Sequence, residues 1–142
     1  MFYAIIKFEN TSQEGRSHMK ILESAENYLE TILILQKRNG AVRSIDIVNE
    51  LEFTKPSVSI AMKHLRENGY IEMDKNGYIT LLEAGRSVAE AVYERHTALS
   101  DFLEAIGVPS AIAREDACRM EHIISDETFE AIKKHTKALI TE

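Results

Sequence analysis

The chain has 142 residues, 44% of them hydrophobic and 28% charged, with 6 Gly, 2 Pro and 1 Cys. That composition excludes a disordered tail, a collagen-like repeat and a disulfide scaffold, and the length suits one compact domain or two small ones. No apolar run reaches the roughly 18–20 residues needed to span a bilayer, and residues 1–19 lack the basic start and long apolar core of a signal peptide. A cytoplasmic protein without membrane partners is expected.

The net charge of -6 is unevenly spread: residues 1–18 are neutral, 19–86 carry -1 and 87–142 carry -5. Between residues 37 and 75, seven basic side chains face six acidic ones. That stretch leaves room for a DNA-facing surface, while the acidic last third suits cations or self-association.

Residues 1–18 alternate apolar side chains briefly (Phe2, Ala4, Ile6, Phe8) and then run into polar residues without a period. Ser17-His18-Met19 has the look of a cloning junction, so residues 1–18 are expected to be a vector-derived leader or a misassigned start. A genuine short strand is the alternative.

From Ile21, apolar residues at Ile21, Leu22, Ala25, Tyr28, Leu29, Ile32, Leu33 and Leu35 trace an amphipathic helix ending near Asn39-Gly40. Ser44 is expected to cap a short second helix, and the turn Glu52-Phe53-Thr54 leads to a third with Pro56 in its first turn and a stop at Asn68-Gly69. Residues 70–74 and 78–81 flank Lys75-Asn76-Gly77, the turn chemistry of a hairpin. A helix-turn-helix followed by a hairpin is a winged helix. A long helix over residues 83–106, with Val88, Ala91, Val92, Leu99, Phe102 and Leu103 on its apolar side, leads away from it. Helices are expected over residues 110–124 and from Ser125 to the C-terminus. The expected architecture is thus mainly α: a leader (1–18), a winged helix-turn-helix domain (19–86) and an all-helical metal-binding and dimerisation domain (87–142). The last has too few residues for a large core of its own, so a second copy of the chain is expected to complete it.

On the DNA side, the third helix should enter the major groove with Thr54, Pro56, Ser57 and Ser59 near base edges or phosphates. Lys55, Lys63, Arg43 and, in the wing, Lys75 are candidates for phosphate contacts, each with a solvated surface charge as its alternative. Pro56 offers apolar contact to thymine methyls.

Cys118, Glu121 and His122 fall at i, i+3 and i+4, so one helix face presents a thiol, a carboxylate and an imidazole within a turn. A buried Cys beside a surface Glu-His pair is the plainer alternative. His96 on the long helix, and Asn27 with Glu30 on the first, can supply donors to the same place. Mixed O, N and S donors favour Fe2+, Mn2+, Co2+ or Ni2+.

These strings resemble the diphtheria-toxin repressor and manganese-transport-regulator family of metal-dependent transcriptional repressors. The resemblance covers residues 21–132. It rests on Glu26-Asn27-Tyr28-Leu29-Glu30-Thr31-Ile32, Pro56-Ser57-Val58-Ser59, Gly69-Tyr70-Ile71, Arg95-His96, and Asp116-Ala117-Cys118-Arg119-Met120-Glu121-His122 with Ser125-Asp126-Glu127. It implies a homodimer that grips a palindromic operator when Fe2+ or Mn2+ is bound, with Co2+, Ni2+ or Zn2+ able to substitute in vitro. It also implies a short form without an SH3-like domain, no organic cofactor and no enzymatic activity.

By the same resemblance, Cys118, Glu121 and His122 match three ligands of iron-type members, and manganese-type members carry a carboxylate at the position of Cys118. His96 matches a ligand of both branches, and Glu30 a carboxylate of the manganese type. Asn27 departs, since the family has Met or Asp there; its amide oxygen is a neutral donor and an optional ligand. Ser100 replaces a carboxylate and Arg114 a histidine of the iron-type ancillary site, which is therefore not expected. A metal-free regulator sensing redox state through Cys118 is the alternative function. A metallohydrolase or thiol enzyme finds no His-Glu-x-x-His, phosphate loop or nucleophile elbow to support it.

Overall fold

A computed structural model describes residues 23–140; the expected leader over residues 1–18, and Ile21 and Leu22 of the expected first helix, lie outside the described residues. Helix α1 (Glu23–Asn39) buries Ala25, Tyr28, Leu29, Ile32, Leu33 and Leu35, and also the polar Glu30 and Thr31. A helix buried over so much of its circumference must be covered on several sides. Here α2 (Ser44–Leu51), α3 (Lys55–Glu67) and the wing cover one side and the long α4 (Glu83–Ala105) the other. The Thr31 hydroxyl satisfies itself inside the helix by donating to the Asn27 carbonyl at 2.8 Å.

The second helix begins as expected, but its cap does not. Ser44 is the first helical residue and Arg43 takes the cap position; the Arg43 N–H donates to Asp46 Oδ2 at 2.8 Å, so the carboxylate one turn on does the capping. Glu52, left-handed at φ 55°, turns the chain toward α3. There Thr54 Oγ1 accepts the Ser57 N–H at 3.3 Å and donates to Ser57 Oγ at 2.8 Å. At the far end Gly69 N–H reaches the Arg66 carbonyl (3.1 Å) and Tyr70 N–H the Leu65 carbonyl (2.9 Å). This pair of bonds needs the left-handed φ of 77° that Gly69 supplies.

The wing pairs β1 (Ile71–Met73) with β2 (Ile79–Leu81) antiparallel, with Ile71 opposite Leu81 and Met73 opposite Ile79. Its turn is tied by Asp74 Oδ1, which accepts the N–H groups of Asn76 (2.8 Å) and Tyr78 (2.9 Å). Val42 adds a third edge by accepting the Ile79 N–H at 2.8 Å. Where α4 leaves the wing, Leu82 N–H donates to the Tyr70 carbonyl (3.0 Å), and a Cβ on Gly85 would lie 2.0 Å from that same oxygen. Only glycine allows this approach.

Helix α4 packs on α1, on α5 (Ser110–Met120) and on α6 (Asp126–Ile140). The N-terminal core reaches past residue 86 into α4, taking in Ala89 and packing Val88 and Tyr93 against it. Leu99, Ala113, Ala117 and Phe129 are buried in the C-terminal half. Helix α5 stops at Met120, four residues before the expected end. Beyond it the chain turns, with the Ile123 and Ile124 N–H groups both donating to the Met120 carbonyl, and Arg95 braces that turn by donating from Nη1 to the Glu121 and Ile124 carbonyls at 3.2 and 3.1 Å. Ser125 Oγ then accepts the Thr128 N–H at 3.2 Å, capping α6. Among the described residues no helix is long and apolar enough to cross a membrane.

Candidate metal centre and recognition surface

Three separate stretches of sequence meet where α1, α4 and the end of α5 converge. From α1 comes Glu30, 4% exposed; from α4 comes His96; from the end of α5 come Cys118, Glu121 (2% exposed) and His122. Ligand atoms of His96, Cys118 and Glu121 lie within 4.8 Å of one another, and so do those of Glu30, Glu121 and His122, so Glu121 joins two overlapping groups. Its Oε2 accepts from His96 Nδ1 at 3.0 Å, and its Oε1 stands 3.2 Å from His122 Nε2. Glu30 Oε1 is 4.0 Å from His96 Nδ1.

The expected single helical face is therefore only half right. Cys118 is on α5, while Glu121 is its C-terminal cap and His122 lies in the turn beyond. The plainer alternative is inverted as well. Glu121 is buried and the His122 side chain is 3% exposed, whereas Cys118 is the exposed member. Asn27 is half-buried on α1 one turn before Glu30, with its backbone carbonyl held by Thr31.

The electrostatics are those of a site made for positive charge. Burial, reinforced by neighbouring Glu121, pushes the Glu30 carboxyl up to about 8. Burial also works against the Glu121 carboxylate, but the His122 and His96 imidazoles beside it prevail and hold it below the usual range. Desolvation of His122 is overcome by the Glu121 and Glu26 carboxylates on either side of it, which lift it to about 10, and the bond to Glu121 raises His96. Desolvation of the Cys118 thiol, with Glu121, Glu30 and Glu23 nearby, pushes it up to about 11.

The donor set fits a divalent first-row cation. Glu30 Oε2 and Glu121 Oε1 are buried oxygens without a hydrogen-bond partner, an arrangement that native interiors avoid unless something else satisfies them. Two carboxylates, two imidazoles and a thiol supply hard and soft donors together. Ser100 is buried on α4 and its hydroxyl also lacks a partner, while Arg114 is exposed and lowers the His96 pKa by its charge.

Two residues of this site were not singled out by spacing. Glu26 places Oε2 2.8 Å from His122 Nδ1. Its one available signal is its position four residues before Glu30. Arg95, next to His96, holds the turn after α5 through Glu121 and Ile124, pairs with Asp126 and lies 5.1 Å over the Phe129 ring.

The second candidate surface is the outer face of α3. Thr54, Lys55, Pro56, Ser57, Ser59 and Lys63 are all exposed on it or at its start. Ile60, which sequence reading passed over, is 55% exposed. At roughly 100° per residue, Pro56, Ile60 and Lys63 stand opposite the buried Val58, Ala61, Met62 and Leu65. Lys63 reaches Glu67 at 3.9 Å. Arg43 is spoken for by the wing: Nη2 donates to the Asn76 carbonyl at 2.7 Å and the guanidinium lies 5.2 Å over Tyr78. Lys75 is exposed in the wing turn.

Residues 20–79 match the family described as iron dependent repressor, N-terminal DNA binding domain, and residues 82–140 match iron dependent repressor, metal binding and dimerisation domain. The chain is 34% identical to the transcriptional regulator MntR of Salmonella typhi over 91% of its own length and 81% of the relative's. It is 27% identical to the iron-dependent repressor IdeR of Mycobacterium tuberculosis, covering 81% of this chain and 50% of that one. A solved manganese-dependent transcriptional repressor in complex with manganese superposes with a TM-score of 0.73 at 25% identity, over 80% of this chain and 52% of the other. The chain thus spans about half the length of that structure. With both family domains matched in order along nearly all of the described residues, the chain belongs to the iron-dependent repressor family.

Proposed function

We propose that this chain is a transcriptional repressor whose grip on operator DNA is set by Fe2+ or Mn2+ held at Glu30, His96, Cys118, Glu121 and His122, with Asn27 as an optional further donor. The observation that carries this reading is the pair of buried, partnerless carboxylate oxygens, one on α1 and one at the end of α5. Similarity to a solved manganese-dependent repressor and to an iron-dependent repressor supports either ion, and Co2+, Ni2+ or Zn2+ suit the same donors in vitro. When bound, the cation supplies the positive charge that Glu30 and Glu121 otherwise draw from histidine protons.

The residues themselves explain the coupling. Glu30 belongs to the helix at the heart of the winged unit; His96, Glu121 and His122 belong to the helical half. Drawing these groups to one point fixes the angle between the two halves, and so the placement of the recognition helices in a dimer. Exposed Ile106, Ile112 and Ile123 support burial of the helical half against a second copy. On DNA, Lys55, Lys63 and Lys75 would meet phosphates, with Arg43 bracing the base of the wing. Thr54 and Ser57 bond each other and would shape the helix start, leaving Pro56, Ser59 and Ile60 nearest the bases.

The reading places the protein in the cytoplasm, without catalytic activity and without an organic cofactor. The redox alternative is disfavoured on physical grounds, because a sensing thiol needs a depressed pKa and that of Cys118 is raised. The test is fluorescence anisotropy with a selected DNA pool under anaerobic conditions. Binding should appear with Fe2+ or Mn2+ and vanish with chelator; binding indifferent to chelator would remove the metal switch.

A further inference from the structure

Helix α1 sends two carboxylates toward the helical half, Glu26 and Glu30, from positions one turn apart. They are not equivalent. Glu30 is buried and keeps Oε2 without a partner, whereas Glu26, whose side chain is 29% exposed, is already engaged: its Oε2 lies 2.8 Å from His122 Nδ1. The other nitrogen of that ring, Nε2, is 3.2 Å from Glu121 Oε1, the oxygen with no hydrogen bond of its own. The imidazole is thus clasped between a carboxylate behind it and the metal-ligating cluster in front. A histidine that ligates through one nitrogen is held in the required tautomer and orientation by an acceptor on the other.

The geometry points to Glu26 as a positioning residue, whose carboxylate accepts the Nδ1 proton of His122 and keeps Nε2 turned toward Glu121 and Glu30. The two glutamates of α1 then divide the work: Glu30 offers its own oxygen to the cation, and Glu26 aims the imidazole. The contact joins residues 96 positions apart and ties α1 directly to the turn after α5. This inference rests on the metal-binding reading above.

The test compares the full chain with Glu26→Gln, Glu26→Ala and, as a control, Glu50→Ala, which removes an exposed carboxylate paired with Arg38 on the winged unit. Mn2+ affinity is read from the paramagnetic resonance of the free ion, and folding from circular dichroism. Glu26→Ala should bind Mn2+ about 10–100-fold more weakly. Glu26→Gln, which retains an acceptor oxygen, should lose less, and Glu50→Ala should match the parent. If Glu26→Ala does not fold, the Gln variant carries the comparison.

In Zn2+-loaded protein, nitrogen NMR of His122 should show the proton on Nδ1 and the metal on Nε2, with the fixed tautomer lost once the carboxylate is removed. Equal Mn2+ affinity in all four proteins, or metal on Nδ1 of the parent, overturns the positioning role. A parent that takes up neither Mn2+ nor Zn2+ overturns instead the metal-binding reading beneath it.

Discussion

Arg95 and Glu121 are joined through the main chain: the guanidinium Nη1 donates to the Glu121 carbonyl at 3.2 Å, so the neighbour of one candidate ligand, His96, fixes the backbone of another. The same group holds the Ile124 carbonyl and the Asp126 carboxylate and stacks on Phe129. Arg95→Ala removes all of these at once and should destabilise the protein by about 3 kcal/mol, read from urea unfolding. Arg95→Lys should recover less than half, because an ammonium cannot match the planar fork.

The metal-free protein should grow less stable as pH rises. His122 is raised from the ordinary histidine range to about 10, so the stability it contributes is fully present below about 6.5 and is lost as pH climbs through 10. His96 is raised too and acts in the same direction. Glu30, raised to about 8, contributes most below the usual carboxylate range and loses that contribution as pH rises through 8. Glu121 is lowered and opposes this trend only in acid. In chelator the melting temperature should therefore fall between pH 5 and pH 9. With saturating Mn2+ the trend should flatten or reverse, since binding displaces those protons.

Glu30→Gln should separate folding from metal binding. Ionising Glu30 is costly where it sits, so a neutral amide of the same shape should leave the metal-free protein as stable as the parent or more so. The loss should fall on the ion, with Mn2+ affinity down by at least roughly tenfold, or about 1.4 kcal/mol. A variant that keeps its Mn2+-induced rise in melting temperature would show that Glu30 does not ligate.

On the recognition face, charge and shape should separate in the same way. Lys63→Ala should weaken binding to all duplexes alike and reduce the salt dependence by about one phosphate contact. Ile60→Gln should leave the salt dependence unchanged and alter which sequences are selected from a DNA pool, as expected if the exposed apolar side chain at the centre of that face packs against thymine methyls.

The parts of the fold that local rules dictate were legible in the sequence. Thr54 and Pro56 mark the start of α3, Gly69 its end, Asn76-Gly77 the wing turn and Ser125 the start of α6, each by a main-chain requirement that few residue types meet. All five expected principal ligands were legible by helical spacing or by placement on a facing helix, and the structure gathers them in two overlapping groups that share Glu121. What spacing could not show depends on approach in three dimensions. Glu26 matters because His122 comes to it from the other half of the chain, and the turn after α5 is braced by Arg95, which reaches it from α4. Ser44 is not the cap because Arg43, extended and bridged to Tyr78 of the wing, takes that position and leaves Ser44 inside the helix.

The contact of Gly85 with the Tyr70 carbonyl has a mechanical consequence. With no room for even a methyl group between them, and with Leu82 bonded to the same oxygen, the wing and the first turn of α4 are locked as one lever. A hinge between the two halves cannot sit at that junction. Whatever turns the first turn of α4 therefore carries the wing with it, and any bend between the two halves must lie further along α4 than that turn.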